Sequence, residues 1–279
     1  MRGRLLSAAA LLVLVSFWTV CVAQSQGETT KPLPWVLVWD ENFEGPAGTQ
    51  PTSSRWTFDL GNRAFGNHEL QYYTDDNQNI RLDGQGHLEI RALESQGDTD
   101  QLCWTGKPCP YTSGRLTTLG KLGARYGKLE ARIKVPPGRG LLPAFWAMGD
   151  TGQGWPDNGE IDIMEVVGQQ PNTVHGTVHG PGYVGIESLS GQKRVAKPLA
   201  SDFHVFTLLK RPRELVWLLD GKAYHRVTPA DLPEDTTWVF DEPFYLIINL
   251  AVGGDWPKTP PHGTLFPKIM LVDYVRVWD

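Results

Sequence analysis

The sequence predicts an all-β protein, a sandwich or barrel of many short strands in one domain. Three observations lead there. Short apolar or alternating runs recur from Trp35 onward, separated by Gly, Pro, Asn and Asp, in a chain of 279 residues with 30 Gly and 21 Pro. No long segment spaces its apolar residues by three and four, the pattern of an amphipathic helix. No linker, composition break or internal repeat divides the chain beyond its first residues.

Those first residues stand apart. Arg2 and Arg4 precede an apolar stretch, residues 5–20, that is too short and too Ser-interrupted for a comfortable membrane span. Cys21-Val22-Ala23 then offers small residues for cleavage, so residues 1–23 are expected to be a signal peptide, with an uncleaved anchor as the alternative. Residues 24–34, polar and Pro-bearing, are expected to be a flexible lead-in, and 35–279 the folded domain. The protein is then secreted and extracellular.

Within the domain, strand-like runs fall at residues 35–43, 80–82, 87–92, 115–119, 128–135 and 144–148, then at 160–167, 173–179, 204–210, 214–219, 244–250 and 270–278. Asp83-Gly84-Gln85-Gly86 turns the chain between two of them. Asp220-Gly221 is a hairpin signal leading into 223–227. Residues 229–232, beginning with Pro229, allow one short helical turn.

The net charge is −5, and becomes −7 when residues 1–23 leave with two arginines and no acids. Mild acidity without a block of five like charges argues against nucleic acid or an anionic membrane as partner. After signal cleavage no apolar run approaches membrane length. Nothing signals an oligomer, so a monomer is expected. Eleven tryptophans point the other way, toward a surface where flat indoles pack against a ligand. Cys21 departs with the signal. Cys103 and Cys109 remain, too few for a four-ligand zinc site and well placed to close a small disulfide loop in an oxidising compartment.

The stretch richest in chemistry runs from Trp155-Pro156 through Glu160-Ile161-Asp162-Ile163-Met164-Glu165. On a regular strand Glu160 and Asp162 share one face, and Glu165 falls on the apolar face, an expensive place for a charge. One extra residue near Met164, a β-bulge, returns Glu165 to the acidic face. A solvated acidic strand is the bland alternative, but the Ile, Met and Val neighbours and the preceding Trp-Pro turn suit a cleft better. Like charges in close array raise a carboxyl pKa, as a general acid requires, and paired carboxyl groups are the equipment of glycoside hydrolysis. Trp146, Trp155 and Trp256 flank this strand in sequence or follow a Gly-Gly turn, and indoles suit the apolar faces of sugars; core packing is the alternative for Trp146. His175, Thr177 and His179 share one strand face. A third metal ligand is missing there, so His179 is a candidate to contact a sugar hydroxyl or Glu165, with a structural histidine equally open.

The motif resembles the active-site signature of glycoside hydrolase family 16, and within it the bulged-strand laminarinases, which are endo-β-1,3-glucanases. Six further blocks resemble the family in its own order: residues 67–74, 113–118, 125–132, 143–146, 249–254 and 270–277. The resemblance implies a β-jelly-roll sandwich of two antiparallel sheets with a concave substrate groove. It implies Glu160 as nucleophile, Glu165 as acid/base, and Asp162 between them modulating the nucleophile's charge. Trp146, Trp155 and Trp256 would line the groove. Asn67, Glu69, Arg91 and Arg115 would stand at polar groove-side positions, where a surface charge or buried ion pair is the alternative. No cofactor is needed for catalysis. A structural calcium is implied around Glu41, Gly86 and Asp273, with main-chain carbonyls in its shell. The implied activity is retaining cleavage within β-1,3-glucan of the laminarin type, or within mixed-linkage β-1,3-1,4-glucan. The alternatives are another polysaccharide such as a galactan, transglycosylation, or a non-catalytic β-glucan-binding protein, the last disfavoured by the presence of both glutamates. The Cys103–Cys109 loop would shape one end of the groove.

Overall fold

The computed structural model describes residues 35–279 apart from 63 and 64, so the signal-peptide and lead-in expectations lie outside the described residues. The strands, in chain order, are β1 Leu37–Glu41, β2 Thr57–Phe58, β3 Gln71–Tyr73, β4 Ile80–Leu82, β5 Leu88–Glu94 and β6 Tyr111–Ser113. Next come β7 Arg115–Thr117, β8 Gly127–Lys134, β9 Leu141–Gly149, β10 Glu160–Glu165, β11 Thr173–His179 and β12 Leu189–Arg194. The last five are β13 His204–Arg211, β14 Glu214–Leu219, β15 Lys222–Val227, β16 Phe244–Val252 and β17 Lys268–Trp278. Three 3-10 turns, at Gly185–Glu187, Leu199–Ser201 and Pro229–Asp231, are the only helical elements among the described residues. No helix among them is long and apolar enough to cross a membrane.

The strands form two sheets, in agreement with the all-β expectation. One has ten strands, ordered β15-β14-β13-β8-β17-β5-β6-β3, with β1 also beside β17 and β4 beside β5. The other has seven, ordered β12-β11-β10-β9-β16-β7-β2. Pairing is antiparallel except between β3 and β6, which run parallel over three residues each. That short pair departs from the purely antiparallel expectation.

Alternation decides which side chains enter the core. On β8 Leu129, Ala131 and Ile133 point inward and are fully buried, while Lys128, Glu130, Arg132 and Lys134 are only partly covered. On β5 Leu88, Ile90 and Ala92 do the same. The central strands β9 and β16 of the seven-stranded sheet read as near-continuous apolar runs because one face meets the core and the other, with Leu142, Ala144 and Trp146, lies in the floor of a cleft where little of it is exposed. Phe145, Phe206, Trp217, Phe244 and Met270 come from both sheets into one core, and each such side chain stabilises the fold by about 1.5–3 kcal/mol on burial. Lys210 is also buried on β13; its ammonium donates to the carbonyls of Arg125 and Glu242, and burial pulls its pKa down to about 7.

The anticipated turns form. Leu219 pairs with Lys222 across Asp220 and Gly221, both at positive φ (49° and 74°), as a tight hairpin requires. The strand β12 had no sequence signal. Leu-Ser-Gly-Gln-Lys-Arg is polar because it forms an exposed sheet edge, where charge discourages further pairing.

Candidate active site

The site is built on β10. Against β9, Asp162 pairs with Trp146 while Met164 pairs with Phe145, so two steps on β10 match one on β9. Against β11 the shift lies between Asp162 and Glu165. The extra residue is therefore at Ile163 and Met164, where alternation demanded it. Ile161, Ile163 and Met164 are buried in the core, whereas Glu160, Asp162 and Glu165 all line one cleft of about 610 Å³. A donor from the opposite sheet meets the shift: Trp217 on β14 donates its indole N–H to the main-chain carbonyl of Asp162 at 2.8 Å. Gly176 on β11 leaves room for that indole, since a Cβ there would lie 2.5 Å from Trp217 Cδ1.

The cleft crosses the seven-stranded sheet. Trp155 stands half exposed at its edge and donates its indole N–H to Glu160 Oε2 at 2.7 Å. Trp256, also exposed, meets the His175 ring edge-on at 4.9 Å. Trp146 lies in the cleft wall, not in the core, and donates to Asn249 Oδ1 at 2.7 Å. Asn249 in turn donates to the Tyr73 hydroxyl at 3.0 Å, and Gln71 donates to Glu69 Oε2 at 2.5 Å. Arg115 lies between two rings, 4.3 Å from Phe65 and 4.8 Å from Trp146, and donates to Asp59 at 2.8 Å. Asn67 and Glu69 also line the cleft.

Electrostatics separates the two glutamates. Burial pushes the Glu160 carboxyl up to about 8, with Asp162 adding to the rise, while His179 and the Trp155 N–H pull it back. Glu165 is pushed well up by burial and then by Asp162, Glu160 and Glu69, with nothing opposing. Of the pair, Glu160 is the group equipped to carry charge and Glu165 the group that keeps its proton. His179 has its pKa raised: burial works against its charge, but Asp162, with Nε2 to Oδ2 at 3.2 Å, and Glu160 outweigh it. Burial lowers the pKa of His175.

One expectation needs correcting and a second is narrowed. Arg91 is not in the cleft. It lies on β5 in the ten-stranded sheet, on the face opposite Leu88 and Ile90, where its Nε is 3.7 Å from Glu89 and Nη1 donates to the Gln78 carbonyl at 3.2 Å. His179 reaches the carboxylates, but it pairs opposite Glu160 and contacts Asp162; the residue opposite Glu165 is His175. Asn249, Trp217, Phe65 and Asp255 were not singled out from sequence. Asn249 and Asp255 did lie in or beside the Asn-Leu-Ala-Val-Gly-Gly block, which was a usable signal.

Cys103 and Cys109 form a disulfide with Cα atoms 4.9 Å apart. Glu41, Gly86 and Asp273 gather at one part of the ten-stranded sheet: Glu41 pairs with Val275, and Val272 pairs with Leu88, two residues past Gly86. Glu41 Oε2 is buried without a hydrogen-bond partner, 3.9 Å from Arg55 Nε, and a Cβ on Gly86 would lie 3.4 Å from Glu44 Oε1 and 3.9 Å from the Asn42 carbonyl. Asp273 Oδ2 is held by Arg132 at 2.5 Å. Carboxylate and carbonyl oxygens without nitrogen or sulfur are the donor set calcium takes.

Comparison with known proteins gives a consistent picture. The model of the family described as glycosyl hydrolases family 16 matches residues 64–268. A β-glucanase from Rhodothermus marinus is 38% identical over 276 residues, which is 95% of this chain and 92% of the relative. The structure of an endo-β-1,3-glucanase from Pyrococcus furiosus superposes with a TM-score of 0.81 at 42% identity, covering 88% of this chain and 94% of that one. The laminarinase catalytic domain of Thermotoga maritima superposes with a TM-score of 0.80 at 40% identity, covering 88% and 98%.

Proposed function

The chain belongs to the glycosyl hydrolases of family 16, and from that premise we propose that it cuts within β-1,3-glucan chains with retention of anomeric configuration. The observation that carries this reading is the register shift at Ile163–Met164, which sets three carboxyl groups in a row in a tryptophan-walled cleft. The relatives named above are a β-glucanase, an endo-β-1,3-glucanase and a laminarinase, which favours laminarin-like glucan.

In this reading the ionised Glu160 attacks the anomeric carbon as Glu165 gives its proton to the departing glycosidic oxygen. A covalent glycosyl-enzyme results. Glu165, now a carboxylate, takes a proton from a water on the side the leaving group left; that water attacks the anomeric carbon opposite Glu160 and displaces it, so two inversions give net retention. Trp155 and His179 favour charge on Glu160 before attack, and Asp162, beside both glutamates, helps Glu165 hold its proton. Indoles along the cleft pack on the apolar faces of the sugar rings.

Reducing-sugar release from laminarin, lichenan and agarose tests the polymer, and proton NMR of the first product tests the stereochemistry. We expect laminarin to yield oligosaccharides whose β-anomer appears first. Cleavage of agarose alone, or an α-anomer first, overturns the reading.

The same chemistry predicts a pH response. Asp162 raises both glutamates, so Asp162→Asn lowers both pKa values. The working form, with Glu160 ionised and Glu165 protonated, then occupies a window at lower pH. Both limbs of the kcat/KM profile are expected to move to the acid side, with the loss greatest at alkaline pH.

Residues 1–23 direct export, so the enzyme acts outside the cell as a monomer, with polysaccharide as its partner and neither nucleic acid nor membrane. No cofactor enters the chemistry. A calcium held by oxygens of Glu41, Gly86 and Asp273 would pin β1 and the β4–β5 turn to β17. Chelation by EDTA is then expected to lower the Tm, measured by calorimetry, and added calcium to restore it.

A further inference from the structure

We infer that the cleft continues onto an outlying sugar platform, made by Trp104 and His68, that takes distal units of a long glucan chain. This rests on the reading of the protein as a glucan-cleaving enzyme and adds to it a binding surface away from the reacting bond.

Trp104 is 48% exposed and packs into neither core cluster. An indole left in water on a mobile loop would be unremarkable, but this one is firmly mounted. It follows Cys103, whose sulfur joins Cys109, and both cysteines are buried. The ring between them is closed again by Cys103 N donating to the Lys107 carbonyl and Gly106 N to the Cys103 carbonyl, each at 2.8 Å. The main-chain N–H of Trp104 donates to Asn62 Oδ1 at 2.7 Å, and Asn62 in turn holds the carbonyls of Glu69 and Gln71. The disulfide ring is thus fastened to the segment that carries Asn67 and Glu69 into the cleft.

His68 joins the two. Its ring lies 4.5 Å from the Trp104 ring, and its Nδ1 is 2.9 Å from Asp255 Oδ2. Asn67 and His68 both adopt positive φ, 56° and 52°, a costly backbone for two successive residues with side chains. Asp255 lines the cleft beside the exposed Trp256, and its N–H donates to the Asn67 carbonyl at 2.8 Å. A continuous rim therefore runs Trp256, Asp255, His68, Trp104.

Aromatic faces alternating with an imidazole and a carboxylate, all reachable by solvent, match a sugar chain: rings take its apolar faces and the polar pair takes hydroxyls. A flat protein interface would draw on a broader apolar patch than two indoles, an imidazole and a carboxylate supply. Held by the disulfide ring, the platform loses little side-chain freedom on binding, which favours affinity.

The test compares Trp104→Ala with wild type on long laminarin and on laminaritetraose, taking kcat/KM for each. We expect the polymer-to-tetraose ratio to fall roughly three- to tenfold, the worth of one aromatic stack. Trp104→Tyr, which restores a ring, should recover most of it. Retarded migration of wild type in laminarin-containing gels, weakened in Trp104→Ala, reads binding without turnover. An unchanged ratio, or an equal fall on both substrates that Tyr does not rescue, overturns the platform. If wild type cuts neither substrate, it is the enzymatic reading that fails.

Discussion

Glu165→Gln is expected to lower kcat on laminarin by about 10²–10⁴-fold, the usual worth of a positioned general acid, and Glu160→Gln to abolish measurable turnover. Glutamine preserves shape and burial, so neither variant should lose its fold; circular dichroism and Tm verify that. The two losses differ in kind. Without Glu165 the leaving oxygen departs unprotonated, a fault that a dinitrophenyl aglycone cures because it leaves well without a proton. Glu165→Gln should therefore form the glycosyl-enzyme from such a substrate and stall, and azide, which needs no base, should release it. Glu160→Gln cannot form that intermediate, and neither the better leaving group nor azide should restore it. The physical ground is the difference in surroundings: Glu160 has the Trp155 N–H and His179 to support charge, whereas burial and three carboxyl neighbours all press Glu165 to stay protonated. The reverse pattern of rescue would exchange the two roles.

Trp217→Phe is expected to cost both stability and rate, although Trp217 never meets substrate. The change keeps an aromatic ring in the core but takes away the indole N–H, which donates to the Asp162 carbonyl at the register shift, together with part of the ring's buried volume. Leaving a buried acceptor without its donor costs about 1–3 kcal/mol. If the strand relaxes there, the catalytic carboxylates move, and a displacement of about 1 Å can cost about 10²-fold in rate. The fall should appear in kcat, with KM little changed. Gly176→Ala attacks the same contact from behind, because its Cβ would press on Trp217 Cδ1. The effects of the two changes should then be less than additive. A lower Tm with kcat intact would reduce Trp217 to ordinary packing.

The catalytic strand was legible because it breaks a rule. An acid at the position of Glu165 is unaffordable on a regular strand amid Ile and Val, so the bulge could be anticipated from alternation alone. The Asp220-Gly221 hairpin and the Cys103–Cys109 ring were legible for equally local reasons. The family resemblance alone assigns Arg91 to the groove, and the alternative of an ion pair is what its strand in the ten-stranded sheet provides, beside Glu89. For His179, which of the carboxylates it meets is decided by antiparallel register, and that sets it beside Glu160 and Asp162 and not Glu165. Trp217 could not be found at all. In its strand it alternates with Val216 and Leu218 like any core residue, and its hydrogen bond spans the sandwich to a residue 55 positions earlier.

The shift on β10 also bears on how this site tolerates changes in chain length. Between Asp162 and Glu165 stand two residues, Ile163 and Met164, and the bulge absorbs one of them. Deleting either leaves acid, apolar, acid, apolar, acid, a regular strand in which all three carboxylates still face the cleft. Insertions and deletions in a strand normally turn every later side chain to the wrong side. Here a one-residue loss would spare the orientation of the acids and change only their spacing and the carbonyl that Trp217 holds. The row is thus written in two interchangeable lengths, and a lineage could pass between them in a single step without losing its carboxylates to the core.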